Sequence, residues 1–513
     1  MIGVLLLLAA VQEAGPPPLA DLLERARGRL EASDAAGARR DLGLAEEAYP
    51  GSPLVANFQG VLEAQEGRYE AAEKLFREAV RRAPRYTDAY LNLGRLCQEN
   101  AGGDGEALRK ARAAYDAVLQ YQPDHAEARY QRAAVSLALG DFALTLEDLG
   151  RLPPADRERP AVLALLAAGH AARGDRAEAD RAAERLLGRR DLAEEDVRLA
   201  LPTLTARGRE DLAVRLLEAL RAKALASTDS VRRLGLLYEG AGRLAEAREA
   251  LEASAGAAPP PGLLLELARV AHAQGDRRAA LGYLARARDQ TPEDPRVHFF
   301  FGMVCVELDL AAEAYNSLKE AVRLAPDDPR ANYALGAVAL HRRDPSEAIP
   351  YFRKYAELVP ADRRAALAVG VAAYRSGDFP TARTELLRAA GEPSLAAAAF
   401  YHLARVAREE ERLDDALALA GKSVEADPRY PDPYSELGFL HLRRREPEEA
   451  ERALARCLEL DGDHYLGNYH LLMLYQRTKD PREEAQAARS EALKRRRERE
   501  SDDFLRLIEV RPY

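Results

Sequence analysis

The stretch YEAAEKLFREAV, residues 69–80, places apolar side chains three and four residues apart, so one face of a helix is apolar and the other charged. LGRLCQ (93–98) shows the same period, and short polar or glycine-containing breaks separate such stretches along the chain. The pattern predicts short helices in consecutive pairs, each pair a hairpin with an uncovered apolar face.

The pairs repeat in a fixed phase. One alanine recurs just after the break, at Ala38, Ala72, Ala111, Ala179, Ala213, Ala247, Ala280, Ala314, Ala348, Ala382, Ala416 and Ala450. A glycine precedes it by twelve residues at Gly60, Gly235, Gly302, Gly336, Gly370 and Gly438, and by seventeen at Gly94, where five residues are inserted. A proline follows it by twelve at Pro50, Pro84, Pro123, Pro292, Pro326, Pro360 and Pro428. Numbering each unit from 1 to 34 sets the glycine at position 8, the alanine at 20 and the proline at 32. Small residues at 8 and 20 let two helices approach, and the proline ends the second helix. Pro345, Pro447 and Pro481 fall at the first turn of second helices, where a missing N–H is harmless.

The best copies are AYLNLGRLCQ (89–98), ANYALGAVALHRRDPSEAIPYFRKYAELVP (331–360) and DPYSELGFLHLRRREPEEAERALARCLEL (432–460). They resemble the tetratricopeptide repeat (TPR) family, whose pattern is aromatic-x-x-Leu-Gly-x-x-aromatic, then Ala, aromatic and Pro. Fourteen units start near residues 19, 53, 87, 126, 160, 194, 228, 261, 295, 329, 363, 397, 431 and 465. The resemblance implies an all-α fold, a right-handed superhelical solenoid of helical hairpins.

The array is uneven. Units from 126 to 227 depart from the pattern: Arg132–Ala133 and Leu166–Ala167 replace Leu-Gly, and Pro202 sits inside a first helix. AGGDG (101–105) lengthens one turn between paired helices, and GAAPPPG (256–262) reads as a hinge. The expected division is a hydrophobic N-terminal segment (1–15), a first array (16–260), a second array of regular repeats (261–480) and a charged capping helix with a tail (481–513).

Arginine supplies nearly all the positive charge, with only eight lysines among 75 basic residues, a bias shared with GC-rich bacterial genomes. Net charge is −9 with both signs interleaved, so no basic face for nucleic acid is expected. Cys97, Cys305 and Cys457 lie far apart, at packing positions 11 or 27. Histidines form no HExxH, GGDGEALRK (102–110) lacks a phosphate-loop pattern, and paired acids such as Glu194–Glu195 suit helix starts. No catalytic site, metal or cofactor is therefore expected. The apolar run Ile2–Val11, followed by Ala14 and Pro16–Pro18, has the length of a signal-peptide core. It predicts export, to the periplasm or beyond, with a cytoplasmic location if it is not a signal. No other segment is long and apolar enough to span a membrane.

In the TPR family positions 2, 5, 9 and 12 of first helices line a groove for an extended peptide or partner helix. Carried over, position 5 of the C-terminal repeats offers Phe299, Tyr333, Leu367, Tyr401 and Tyr469. Position 9 offers Met303, Arg405, Phe439 and Met473, and position 2 offers Arg296, Arg330 and Arg364. Within RVHFFFGMVC (296–305), Phe301 and Gly302 then belong to the core, Phe299 and Met303 to the groove, and Phe300 lies between. The Lys/Asn set by which chaperone-adaptor TPR domains clamp a terminal carboxylate is missing, and of the asparagine ladder known in another TPR superhelix only Asn92 is present. The expected function is a non-enzymatic scaffold binding a protein or peptide partner; the alternative is a cytosolic accessory subunit of an enzyme or of a secretion or envelope-assembly complex.

Overall fold

The computed structural model describes residues 17–256, 258–342 and 344–499, so the N-terminal apolar run and the tail beyond residue 499 lie outside the described residues. Helices follow one another from Leu19 to Arg499, with no strand among the described residues. They pair as the periodicity predicts: a first helix such as Pro329–His341 packs antiparallel on a second, Pro345–Leu358, and the next first helix covers them. All twelve alanines of the ladder are fully buried.

The closest approach inside each hairpin is between positions 8 and 24. A Cβ on Gly60, Gly94, Gly302, Gly336, Gly370 or Gly438 would lie 2.5–2.9 Å from a side-chain carbon of Phe76, Tyr115, Leu318, Phe352, Leu386 or Leu454, respectively. Where position 8 is alanine (Ala26, Ala133, Ala167, Ala268, Ala404), position 24 is Leu42, Leu149, Ala183, Leu284 or Ala420, all buried. The aromatic residues Phe76, Tyr115 and Phe352 thus stand opposite glycine. A glycine costs about 1 kcal/mol of helix propensity, which the buried ring offsets. The turn joining paired helices passes through the left-handed region at position 15, in Gly67, Gly140, Gly174 and Gly377 among others. The same conformation is imposed on Ser33, Asp309, Glu411, Arg445 and Lys479.

The chain divides into two compact units, Met1–Tyr238 and Glu239–Tyr513. The expected boundary near residue 260 falls inside the second unit. There Pro260 is the N-cap and Pro261 the first residue of the helix Pro261–Ala273, so these prolines start a helix.

In the first unit the insertion at 101–105 lengthens the second helix as well as the turn. Gly105–Tyr121 has 17 residues against 14 in Tyr69–Arg82, and Asp104 caps it through the N–H groups of Glu106 and Ala107. The irregular repeats substitute ion pairs for apolar ones. Arg132, at position 7, donates to both carboxylate oxygens of the fully buried Asp148 at 2.7 and 2.8 Å, and to Asp116 at 2.7 Å. Arg25 and Arg29 flank Asp41, at the equivalent position 23 of the first hairpin, at 3.4 and 2.9 Å. Pro202 splits its first helix into Glu194–Arg198 and Leu201–Ala206.

The second unit is regular. Position 4 ties successive hairpins: His298 reaches the Pro292 carbonyl at 2.8 Å, and Asn332 and Asn468 donate to the carbonyls of Pro326 and Gly462 at 2.8 and 3.1 Å. Pro345 and Pro447 begin second helices as expected, whereas Pro481 lies in the turn before Glu483–Arg499. That last helix completes a hairpin with Tyr465–Thr478, through Gln486 and Ser490 on the Asn468 carbonyl.

These contacts give three expectations. Gly336→Ala should destabilise the Pro329–Leu358 hairpin by about 1–3 kcal/mol despite its better helix propensity, and Phe352→Leu should restore most of that loss. Hydrogen exchange across the two helices, run as a double-mutant cycle, measures the coupling. Asp148→Ala, which leaves Arg132 only its exposed partner Asp116, should cost about 3 kcal/mol in urea unfolding, while Arg132→Leu/Asp148→Leu should equal or exceed the parent. Asp309→Gly should gain about 1 kcal/mol by relieving its left-handed backbone, seen as a higher melting temperature.

Candidate functional site: the face of the first helices in the second unit

From Pro295 to Thr478 each first helix touches the next first helix directly, in the series Pro295–Glu307, Pro329–His341, Arg364–Ser376, Pro393–Glu409, Pro431–Arg444 and Tyr465–Thr478. Second helices pack mainly on first helices. First helices thus meet one another where second helices do not, and their free sides are the face that the repeat numbering assigns to the concave groove.

Three arginines expected on this face are engaged by their own helix starts. Arg296 donates to Asp294 at 3.0 and 2.7 Å, Arg330 to Asp328 at 3.4 and 3.3 Å, and Arg364 to Asp362 at distances down to 2.6 Å. Each aspartate also accepts from the arginine's own N–H; Asp294 and Asp328 are N-caps, and Asp362 lies one residue before the N-cap Arg363.

The apolar set divides by burial. Phe299 is 8% exposed, with the Arg330 guanidinium 5.2 Å above its ring, Met303 is 3% exposed and Tyr401 5%. All three are packed between hairpins, deeper than a groove-facing position suggests, so serine at Phe299 or Tyr401 would empty a core site. Tyr333 is half-buried against Phe352 and Tyr355, and Met473 packs partly on the terminal core. Leu367 and Phe439 are half-buried. Tyr469 is 44% exposed and stacks on Tyr465 at 6.4 Å.

A cavity of about 290 Å³ opens among Tyr333, Phe352, Leu367, Val371, Ala398, His402 and Tyr430, with Arg364 and Arg375 also on its wall. Beside it the Arg405 guanidinium lies 4.8 Å over the Tyr374 ring and 5.5 Å over the Tyr401 ring. His402 sits against the same two rings at 6.3 and 5.0 Å. Its Nδ1 is covered by protein and has no hydrogen-bond partner among the described residues. Burial, reinforced by Arg405 and Arg375, pushes the imidazole down to about 3, so it is neutral at pH 7.

A second cavity, about 360 Å³, is lined by Arg405, Arg408, Glu436, Phe439, Leu466 and His470, among others. Arg408 Nη1 donates to both oxygens of the buried Glu436 at 2.8 Å and lies 5.3 Å over Phe439. Burial raises the Glu436 carboxyl against the pull of Arg408 and Arg405. His470 packs 4.9 Å from Phe439, and burial lowers it to about 4. Arg443, on the same wall, is paired with Glu411 at 2.9 Å. This combination of ring faces, fixed cations and partly covered polar atoms suits non-covalent recognition.

The cysteines are buried, with the Cys305 and Cys457 thiols pushed up to about 12 by burial, far from the thiolate form that reacts. Among the described residues no group of three or more His, Cys, Asp or Glu is arranged to hold a metal, and no helix is long and apolar enough to cross a membrane.

Sequence reasoning missed His402, Glu436 and His470. All three occupy position 6 of successive units, and that run of polar residues was the signal available. It also missed Tyr374 and Tyr430, which lie at positions 12 and 34.

A family model described as tetratricopeptide repeat matches residues 23–87, 59–97, 103–154, 265–318, 307–363 and 367–431, and a second of the same description matches 407–473. No curated protein sequence matches the chain. Among solved structures it is similar to the APC/C hetero-tetramer Cut9–Hcn1, at 14% identity over 89% of this chain and 96% of that one, TM-score 0.38. It is similar to Naa15/Naa10 bound to HypK-THB, at 13% identity over 92% and 99%, TM-score 0.37. Yeast Tom70 is similar at 14% identity over 95% and 98%, TM-score 0.31. Values this low carry nothing about partners. With its repeated hairpins and family matches over more than half its length, the chain belongs to the tetratricopeptide repeat family.

Proposed function

We propose that this protein-interaction scaffold holds a segment of a protein partner, extended or helical, against the first helices of its second unit. One observation carries the reading. Between Tyr374 and Tyr469 the concave face keeps aromatic rings and arginines only partly covered, around two adjacent cavities. Aromatic and arginine side chains give large contact area at a small ordering cost, and they dominate binding energy at protein interfaces. The face works by shape and non-covalent contact, without a catalytic step.

The residues suited to a test are the least buried rings: Tyr469 is largely exposed, and Tyr374 is half-buried at the edge of the core. Tyr469→Ser, alone and combined with Tyr374→Ser, should lower retention of partners from native-host extract by about tenfold or more. Leu387, 54% exposed on a second helix, supplies the control: Leu387→Ser should retain them fully. Melting temperatures should stay within a few degrees of the parent. Undiminished capture by the double variant would remove this face from the function.

A further inference from the structure

The arginines of the concave face differ in what already holds them. Arg296, Arg330 and Arg364 are tied to aspartates two residues before them, Arg408 to Glu436 and Arg443 to Glu411. Arg405, half-buried, has no carboxylate and no hydrogen-bond acceptor among the described residues; its contacts are the faces of Tyr374 and Tyr401. Stacking uses the flat sides of a guanidinium and leaves its N–H groups, which lie in the plane, pointing outward. Those donors match a carboxylate approaching edge-on, with two parallel hydrogen bonds.

Glu409 and Glu411, on the wall of the second cavity with Arg405, are already paired with Arg408 and Arg443. Glu436, the nearby buried carboxylate, already has both oxygens on Arg408. His402, whose covered Nδ1 has no hydrogen-bond partner among the described residues, lies on the wall of the 290 Å³ cavity. That cavity is otherwise lined by Leu367, Val371, Ala398 and aromatic rings, which suit a large apolar side chain. The second cavity continues past Arg405 toward Leu466, so a bound chain need not end there.

We propose that the partner segment is recognised through an internal acidic residue. Its side-chain carboxylate lies in the plane of the Arg405 guanidinium, and a large apolar side chain nearby in the same segment fills the cavity beside His402. This rests on the reading that the concave face holds a partner segment, and names the chemistry of that segment.

The test uses the full chain and fluorescein-labelled decapeptides of alanine and serine with amidated C-termini. Each carries one phenylalanine and, one to three residues later, either glutamate or glutamine. Anisotropy titration should find a glutamate peptide binding about tenfold tighter than its glutamine counterpart. The preference should fall below about twofold in Arg405→Gln, persist in Arg330→Gln, and recover in part in Arg405→Lys, whose charge lacks the fork. Circular dichroism should show all three variants folded. Equal binding of glutamate and glutamine peptides, no measurable binding by any glutamate peptide, or undiminished preference in Arg405→Gln would overturn the proposal. So would a glutamine peptide with a free C-terminal carboxylate binding as tightly as the glutamate peptides, since the site would then read chain ends. If partner capture depends on Tyr374 and Tyr469 while the peptides show no acid preference, this proposal falls and the role of the concave face stands.

Discussion

Everything in this molecule depends on how closely two helices of a hairpin can lie, and one contact sets that distance. Position 8 must be glycine wherever position 24 carries a ring, because Phe76, Tyr115 and Phe352 occupy the space a Cβ would fill. Where alanine replaces glycine, the opposing residue shrinks to leucine or alanine. The pair behaves as one unit of volume divided between two helices, as expected of an interior packed at crystal-like density. Once that distance is fixed, the alanines at position 20 close the crossing, and the apolar face of each hairpin is ready for its neighbour.

The concave face follows from the same constraint. First helices held tightly against their second helices also touch one another, so side chains at positions 5, 6, 9 and 12 of successive repeats come together. Crowding then sorts them. Phe299 lies beneath Arg330, and Tyr401 beneath Arg405 and against Tyr430, whereas Tyr469 near the end of the stack stays open. An aromatic ladder that is uniform in the repeat numbering thus becomes graded in depth, with the exposed chemistry concentrated where rings and cations cannot all be covered.

The fold was legible because each repeat restates the same small-residue constraint, and periodicity makes it visible even where single residues drift. Less legible were the irregular hairpins. Arg132 in place of leucine reads as a loss until Asp148 is seen sixteen residues later, since the compensation lies in a pair and neither member alone declares it. GAAPPPG was ambiguous for a related reason: proline ends one helix and begins another with equal ease, and at Pro261 it begins one. At the candidate site the side of each first helix could be assigned from repeat position, but burial could not. Whether Arg296 or Arg405 retains unused donors depends on an aspartate two residues away in one case and two tyrosine faces in the other.

Within each unit, helices touch their neighbours in sequence or the next but one, with few more distant contacts. Contact order of this kind makes nucleation inexpensive and lets folding spread from any hairpin. The same economy makes the stack compliant. Among the described residues no helix spans many repeats to fix the pitch, so bending there is resisted by a series of small interfaces, like leaves in a spring. A segment lying across three or four consecutive first helices would be the single element joining them all at once, and its occupancy would stiffen the spring over that length.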